Sequence, residues 1–543
     1  MIDRKPFRWY QDKALKLSKD KEGFAFFMEQ RTGKTPVAIR DVERWYNQER
    51  ITACIVVAPK NALHGWEGDV EQEEGFAYWF EGDYLASRWR GKKDPMLTQV
   101  GGQFLRVFLI NFEALVSTKN AWDQVEKILK LHKCALIIDE SHKIKTFAAK
   151  RTKRCLEMAD KSAMVRILTG TPADESPVDL WTQGKAIGVQ PWLTSQYAFR
   201  NRYAELEIDN RTKRKVESNM KKLCFENGLT VRGFEHKPGD DPQWLITSVI
   251  ETDFGKVTGG VKRAGKVAVK IGVRIEGHVY WKSARLDAPA FMTVTRYRNV
   301  DELQAILKPY SYRITRREAW DDMPEKTYGK LEVAMGKQQL KIYNELKNDM
   351  RIELASKEIT ATLAITMIMK LQQVVGGYVG SDDGHILEVP DNNRIKDLIE
   401  YLKDLDCKAV IWSRRTAEID GICRAMKEAG MSHARYDGST AKTRDADKVR
   451  FQKGELLHFV GNQAAGETAL DLSVAQVMIY YSNHDSLTMR KQSEDRCTNT
   501  TNRVHVVDMI SPEVSTDPRL ITALRRKQNL SATLTGDEVF EWI

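Results

Sequence analysis

Residues 29–35 read Glu-Gln-Arg-Thr-Gly-Lys-Thr and follow a short apolar run at residues 24–27. The apolar run predicts a buried strand, and residues 36–39 can open a helix directly after the polar stretch. A strand, a loop and a helix in this order are typical of a phosphate-binding loop. The unpaired N–H groups at the N-terminus of such a helix attract phosphate oxygens.

The side chains of this loop suit a nucleotide. Lys34 would reach the outer phosphates, and the Thr35 hydroxyl would bind Mg²⁺. The other loop residues expected to contact the nucleotide are Arg31, Thr32 and Gly33. The strict pattern has glycine at the position of Met28, so the loop departs from it at one place.

A second run, residues 136–142, reads Leu-Ile-Ile-Asp-Glu-Ser-His. Three apolar residues ending in two carboxylates are typical of a central parallel strand whose C-terminal end meets a nucleotide. Asp139 would hold the Mg²⁺ that Thr35 also touches, and Glu140 would orient and deprotonate the attacking water. The alternative is an exposed acidic strand end, which the matched upstream loop disfavours. The two runs predict an ATPase that uses ATP and Mg²⁺.

Asp-Glu-Ser-His at 139–142, followed by Leu-Thr-Gly-Thr-Pro at 168–172, resembles motifs of superfamily two helicases, and more narrowly of Swi/Snf-type DNA translocases. Further segments resemble this family, in the family's order: 5–11, 56–60 with Trp66, 111–113, 179–181, 312–317, 410–413, 436–440, 464–472 and 492–496. The chain is similar to the compact members that bacteriophages encode. The resemblance implies two RecA-like lobes with ATP in the cleft between them.

The resemblance also implies roles for individual residues. Gln11 would pair with the adenine, and Gln492 and Arg496 would act on the phosphates from the second lobe. Coupling between nucleotide and DNA would pass through His142, Thr169, Thr171 and Gly466. Contacts to the DNA backbone, independent of base sequence, would come from Lys60, Trp66, Ser413, Arg414, Gly438, Ser439 and Thr440.

Two motifs depart from the family. The family usually has a second arginine, its arginine finger, at the position of Asn499. Either Arg496 or a neighbour such as Arg503 then supplies the positive charge at the transferred phosphate, or the ATPase is slow. The other departure is in residues 464–472, where the family prefers Gly, Gly and Asn at the positions of Glu467, Ala469 and Asp471.

Composition limits the class of protein. A chain of 543 residues is too long for one core, and a hydrophobic content of 42% is that of a soluble globular protein. The absence of a long apolar run argues against membrane spanning and export. The seven scattered cysteines indicate reduced thiols in a cytoplasm. If the protein is viral, this cytoplasm would be that of the host bacterium. A net charge of +10 favours a nucleic-acid partner.

Residues 204–298 form a basic stretch that the family core does not require. It contains Arg-Thr-Lys-Arg-Lys at 211–215 and an alternating run at 266–275, which predicts a half-buried strand with basic residues on its open face. We interpret it as an inserted β-containing module. It is either an extra DNA clamp helped by Trp244 and Trp281, or a solvated basic surface with aromatic residues in a minor core.

The predicted fold class is α/β, with two RecA-like parallel sheets. Residues 1–187 would form the first lobe, 188–325 a helical protrusion with the insertion, and 326–543 a helical element and the second lobe. The predicted function is that of a monomeric, ATP-driven translocase on double-stranded DNA. A strand-separating helicase and a nucleic-acid-binding protein with vestigial ATPase activity are the alternatives.

Overall fold

In the computed structural model, the described residues form two compact units, Met1–Gln190 with Gln304–Ile543 and Pro191–Leu303. The structure describes residues 4–173, 176–189, 195–208, 210–238, 244–263, 268–276, 278–285, 292–320, 324–356, 361–380, 386–440, 443–464, 470–498, 503–514, 516–522 and 524–525.

The first lobe is built on parallel strands that alternate with helices. Its strands are β1 Gly23–Met28, β2 Ala53–Ala58, β3 Tyr84–Arg88, β4 Leu105–Asn111, β5 Cys134–Asp139 and β6 Met164–Leu168. Its helices are α1 Trp9–Ser18, α2 Lys34–Asn47, α3 Leu63–Glu67, α4 Gly75–Trp79, α5 Phe112–Ser117, α6 Lys119–Leu131, α7 Lys150–Asp160 and α8 Leu180–Ala186. Strands β2, β5 and β6 are buried almost throughout, as expected for a parallel sheet with helices on both faces.

The second unit contains the predicted insertion. Its elements are α9 Gln196–Tyr203, β7 Ala204–Ile208, α10 Asn210–Glu226, β8 Val231–Pro238, β9 Trp244–Thr252, β10 Gly255–Arg263, β11 Ala268–Ile275, β12 His278–Arg285 and β13 Met292–Tyr297, with α11 Val300–Leu307 at its end. Strands β8 to β12 form an antiparallel sheet in the order β12-β11-β10-β9-β8, and β13 pairs with β7. The β-containing character of the insertion is therefore confirmed.

The five-stranded sheet has two different faces. Ile271 and Val273 are fully buried, on the side where Met220 of α10 also lies buried. Lys270 and Arg274 alternate with them on β11 and are exposed. Gly272 pairs with Trp281, whose ring lies where a side chain at Gly272 would stand, and the indole is 41% exposed. The predicted alternation on β11 holds, with positive charge on the open face.

After the insertion the chain returns to the first lobe through β14 Ser311–Ile314 and α12 Arg316–Ala319. Strand β14 pairs in parallel with β1 and completes a seven-stranded sheet in the order β14-β1-β6-β5-β2-β4-β3. The sequence analysis assigned residues 188–325 to a separate protrusion, whereas the structure adds this short strand to the lobe. Tyr312 and Ile314 join the buried core beside β1, which explains why so short a segment is held there.

The second lobe is again a parallel sheet, in the order β15-β22-β21-β18-β20-β19. Its strands are β15 Thr327–Glu332, β18 Ala409–Ser413, β19 His433–Tyr436, β20 His458–Asn462, β21 Val477–Tyr480 and β22 His505–Ile510, with a small hairpin of β16 Tyr378–Gly380 and β17 Ile386–Glu388. Its helices are α13 Lys337–Ser356, α14 Ala361–Val375, α15 Asn393–Lys403, α16 Thr416–Glu428, α17 Arg444–Lys453 and α18 Leu487–Cys497. The prediction of two parallel-sheet lobes is confirmed.

Two expectations from composition concern the whole chain. All seven cysteines are free thiols, and five of them are buried. Among the residues that the structure describes, no helix is long and apolar enough to cross a membrane.

Candidate nucleotide site

The phosphate-binding loop connects β1 to α2. Met28 is the last, fully buried residue of β1, so the position that departs from the strict motif belongs to the strand. The Thr32 hydroxyl and the Lys34 ammonium both donate hydrogen bonds to the Glu29 carbonyl oxygen, at 2.7 and 3.2 Å. The loop is therefore closed by its own side chains, and Lys34 stands at the N-terminus of α2 where phosphates would bind.

Gln11 contacts this loop. Its Nε2 lies 3.4 Å from the carbonyl oxygens of both Thr32 and Gly33, and its Oε1 accepts a hydrogen bond from the Arg8 backbone N–H at 2.9 Å. Gly33 has a φ of 77°, a left-handed conformation that favours glycine, and a Cβ there would stand 2.2 Å from Nε2, so the end of the Gln11 side chain would have to move. Pairing of Gln11 with adenine stays a prediction.

The acidic pair stands at the end of β5, at the centre of the first sheet. The two Asp139 oxygens accept hydrogen bonds from the Trp66 indole N–H and from the Glu140 backbone N–H, each at 2.9 Å. Burial, reinforced by the neighbouring charge of Glu140, raises the pKa of Asp139. A divalent cation would relieve both effects, and the oxygen donors of Asp139 and Thr35 suit Mg²⁺. No cluster of three or more metal-ligating side chains occurs in the described residues.

Glu140 follows in a strained backbone conformation, with a φ of 49°. Burial acts to raise the pKa of Glu140, but a hydrogen bond from His142 and the charges of Lys34 and Arg496 outweigh it and hold the pKa low. Burial also lowers the pKa of Lys34, against the attraction of Glu140 and Asp139. Glu140 is therefore an ionised carboxylate, the form that can accept a proton from water.

A series of polar contacts leads away from Glu140. His142 Nδ1 lies 3.3 Å from Glu140 Oε2 and 3.1 Å from the Thr169 hydroxyl oxygen. That hydroxyl oxygen accepts a hydrogen bond from the Thr171 backbone N–H at 3.1 Å. The Thr171 hydroxyl in turn lies 3.4 Å from the hydroxyl of Thr488, on α18 of the second lobe. The structure thus brings together three of the four predicted coupling residues and adds Thr488, which the sequence analysis missed.

Helix α18 carries both residues predicted to act from the second lobe. Gln492 and Arg496 are one helical turn apart and share a face. Gln492 is 6% exposed, and its Oε1 has no hydrogen-bond partner among the described residues. Burial lowers the pKa of Arg496, partly offset by Asp495 and Glu140, which places the guanidinium within electrostatic reach of the candidate base.

A second interlobe link surrounds Glu29, which the sequence analysis did not assign to the site. Arg313 donates to Glu29 Oε1 at 3.3 Å, and the Arg316 backbone N–H donates to Oε2 at 3.0 Å. The Arg316 guanidinium continues to Asp495 on α18. Burial acts to raise the pKa of Glu29, but Arg313 and Arg316 outweigh it and lower the pKa to about 2. The arginines lie in the segment that the family resemblance had marked, but nothing in the sequence identified their partner.

The residues predicted to contact DNA differ in accessibility. Lys60, Gly438 and Ser439 are exposed, and Thr440 is half-buried in the same 3₁₀ turn. Arg414 is half-buried, donates to Gln372 Oε1 at 3.1 Å and forms an ion pair with Asp485.

Two of these assignments need correction. Trp66 is 1% exposed, because its indole is buried against the lobe core and donates to Asp139. Ser413 is fully buried and donates its hydroxyl to Glu418 Oε2 at 2.6 Å. Neither side chain is available to a DNA phosphate here, and Trp66 instead orients the predicted Mg²⁺ ligand. Gly466, Glu467, Ala469 and Asn499 lie outside the described residues.

Two family models match the chain in separate regions. The SNF2-related domain matches residues 12–229, and the Helicase conserved C-terminal domain matches residues 392–500. The first match covers the first lobe and continues into the second unit, and the second match lies within the second lobe.

Individual relatives are similar over part of the chain. The "Probable chromatin-remodeling complex ATPase chain" of Oryza sativa subsp. japonica is 26% identical over 210 residues, which are 36% of this chain and 19% of that protein. The "DNA repair and recombination protein RDH54" of Saccharomyces cerevisiae is 26% identical over 200 residues, which are 34% of this chain and 22% of that protein. The chain therefore matches about a fifth of the length of these relatives. Among solved structures, the Sulfolobus solfataricus SWI2/SNF2 ATPase core in complex with dsDNA aligns over 98% of this chain and 94% of that one, with 16% identity and a TM-score of 0.36.

Proposed function

We propose that this protein is an ATP-driven motor that moves along double-stranded DNA. The observation that carries the proposal is the series of polar contacts from Glu140 to Thr488. It joins the candidate base on one lobe to the helix that carries Arg496 on the other. A site that only bound ATP would need no such link, whereas a motor must convert the state of the nucleotide into movement of a lobe.

The residues of the cleft have the chemistry for phosphoryl transfer to water. Lys34 and the N-terminus of α2 would bind the outer phosphates, and Mg²⁺ held by Thr35 and Asp139 would neutralise their charge. Glu140 would take the proton of the attacking water. Arg496 would stabilise the charge that develops on the transferred phosphate, with Gln492 beside it. Loss of the phosphate would then release α18.

Several features favour duplex DNA as the track. The net charge is +10, and Lys60, Gly438 and Ser439 present an exposed ammonium and exposed turn residues suited to phosphates. Such contacts read no bases, so we propose binding that is independent of sequence. In the second unit, Lys270, Arg274 and Trp281 share the open face of the sheet, which favours the DNA-clamp interpretation of the insertion over a solvated surface.

Displacement of a third strand from a duplex tests the motor. A translocase would strip a triplex-forming oligonucleotide from linear duplex DNA when ATP is present, and would leave a forked duplex paired. Unwinding of the fork would instead favour the strand-separating helicase. Tight DNA binding with neither activity would favour the vestigial ATPase. Asn499→Arg then tests the vestigial-ATPase alternative, because a large rise in ATP turnover would mean that the natural enzyme works without the family's second arginine.

The biological setting belongs to the same proposal. Remodelling of DNA or of protein–DNA complexes in phage replication, recombination or repair, by a monomer in the cytoplasm of a bacterial host, would fit a compact motor. It rests on the resemblance to bacteriophage members and on the names of the rice and yeast relatives.

A further inference from the structure

Arg31 occupies an unusual place in the phosphate-binding loop. Its φ of 66° lies in the left-handed region, which glycine adopts more readily than any residue with a side chain. Backbone strain of this kind persists only where the surrounding structure holds it. The contacts of the guanidinium show what holds Arg31.

Three hydrogen bonds join the guanidinium to described residues of the second lobe. Nη1 donates to the Thr498 carbonyl oxygen at 2.8 Å, and Nη2 donates to the Arg496 carbonyl oxygen at 3.3 Å and to Asp471 Oδ1 at 2.9 Å. Arg496 and Thr498 stand at the C-terminal end of α18. Carbonyl groups at the end of a helix lack partners within the helix and carry partial negative charge, so a cation stabilises them. Arg31 therefore caps, from the first lobe, the helix that carries Arg496.

Asp471 is held ready for this contact. Its Oδ1 also accepts a hydrogen bond from the Ser473 backbone N–H at 3.1 Å, and the neighbouring Leu472 N–H donates to the Arg496 carbonyl oxygen at 3.0 Å. The segment around Asp471 and the end of α18 are thus tied to each other, and Arg31 binds both. Two departures from the family pattern meet here, because the family prefers asparagine at 471 and has its second arginine at 499, next to Thr498.

We infer that Arg31, paired with Asp471, is an interlobe positioning residue that fixes Arg496 against the phosphates in a chain with asparagine at the position of the second arginine. This inference rests on the proposed ATPase function. The usual arrangement sends an arginine from the second lobe to the phosphates. Here an arginine of the phosphate-binding loop reaches out to the second lobe and orients the remaining arginine. Binding of nucleotide to the loop is thereby communicated to the end of α18.

A double-mutant cycle on Arg31→Gly and Asp471→Asn tests the pair. Glycine suits the left-handed backbone and asparagine keeps the shape of aspartate, so both variants should fold. With saturating duplex DNA, each single variant should lower kcat at least about fivefold, and the double variant should lose no more than the worse single variant. The KM for ATP should change less than about twofold for Asp471→Asn, because that side chain lies on the other lobe. Losses that multiply in the double variant would overturn the pairing.

Arg424 and Glu388 provide the matched control. They form an exposed ion pair within the second lobe at 2.8 Å, close to the 2.9 Å of Arg31 and Asp471. Arg424→Gln and Glu388→Gln should leave kcat and KM unchanged. A loss of kcat in the controls equal to that in the test variants would show that any charge removal slows the enzyme, and would overturn the inference.

Hydrogen exchange separates this inference from the proposed function. Peptides that cover residues 487–498 should exchange faster in Arg31→Gly and in Asp471→Asn, without nucleotide and without DNA, because the end of α18 loses its cap. The double variant should exchange no faster than the faster single variant. Unchanged exchange in both single variants would overturn the inference even if the ATPase is active. A wild-type protein with no ATPase activity but with the expected exchange would reject the proposed function and leave the cap supported.

Discussion

The two walls of the proposed nucleotide cleft are built in different ways. In the first lobe, Lys34 begins α2 after the loop that follows β1, and Asp139 and Glu140 stand at the end of β5; both strands belong to one seven-stranded sheet. In the second lobe, Gln492 and Arg496 lie on a single helix, α18, which is anchored in its own lobe by hydrogen bonds from the buried Arg490 to Asp508, and which also has contacts with the first lobe. These contacts are Thr171 to Thr488, Arg316 to Asp495, and Arg31 to the Thr498 carbonyl oxygen.

The difference indicates where motion can arise. A group at the end of a buried parallel strand is fixed by the packing of the whole sheet and cannot shift without disturbing the core. The second lobe, which carries α18, meets the first lobe through a few polar contacts, and it can adopt a second position when those contacts change. We therefore expect the first lobe to supply the chemistry and the second lobe, with α18, to supply the movement.

The largest effect on ATP turnover is expected for residues of the first lobe. Glu140→Gln removes the base and should lower ATP turnover by about 100- to 10,000-fold. Binding of a non-hydrolysable ATP analogue should persist, because Lys34 and the loop remain. Lys34→Ala should instead lose analogue binding. Turnover within tenfold of wild type in Glu140→Gln would mean that another group activates the water.

In the second lobe, Arg496→Ala should lower ATP turnover by about 100- to 1,000-fold, as expected when one group that stabilises the transition state is removed. Arg503→Ala serves as the control, because Arg503 is exposed and follows the position of the missing finger. A greater loss of ATP turnover in Arg503→Ala than in Arg496→Ala would show that Arg503, and not Arg496, acts as the arginine finger. The comparison is made by ATPase rates at saturating ATP.

The threonine contact between the walls should give a smaller effect. Thr171→Val and Thr488→Val each remove one hydroxyl of the pair and should reduce DNA stimulation of the ATPase by about tenfold, with no further loss in the double variant. Basal hydrolysis without DNA should change less. Equal losses with and without DNA would show that the contact serves catalysis itself and does not couple the lobes.

The smallest effect concerns the inserted sheet. Lys270→Gln should weaken duplex DNA binding a few-fold and reduce the slope of log affinity against log salt by about 0.9, the value for one phosphate contact. Lys282→Gln is the matched control on the same sheet, since Lys282 forms an ion pair with Glu226 of α10 at 3.1 Å. An unchanged slope for Lys270→Gln would favour the solvated-surface interpretation of residues 204–298.

Sequence reasoning succeeded where the signal is local. The apolar runs at 24–27 and 136–138 identified β1 and β5, and the polar residues that follow each run belong to the candidate site. The contacts between the walls were missed, because an ion pair such as Arg31 with Asp471 joins residues far apart in the chain and has no local pattern. Trp66 was misassigned for a related reason, since only the folded lobe shows that its indole is buried against Asp139. The short strand β14 likewise reveals its place only by pairing with β1.

Stimulation of ATP hydrolysis by nucleic acid distinguishes a double-stranded DNA motor from a protein that only binds DNA. Linear duplex DNA, single-stranded DNA and RNA would each be added to the wild-type protein and to Glu140→Gln. We predict strong stimulation by duplex DNA that is absent from the variant. Equal rates for wild type and Glu140→Gln with every nucleic acid, despite tight DNA binding, would contradict the account of this protein as a double-stranded DNA motor.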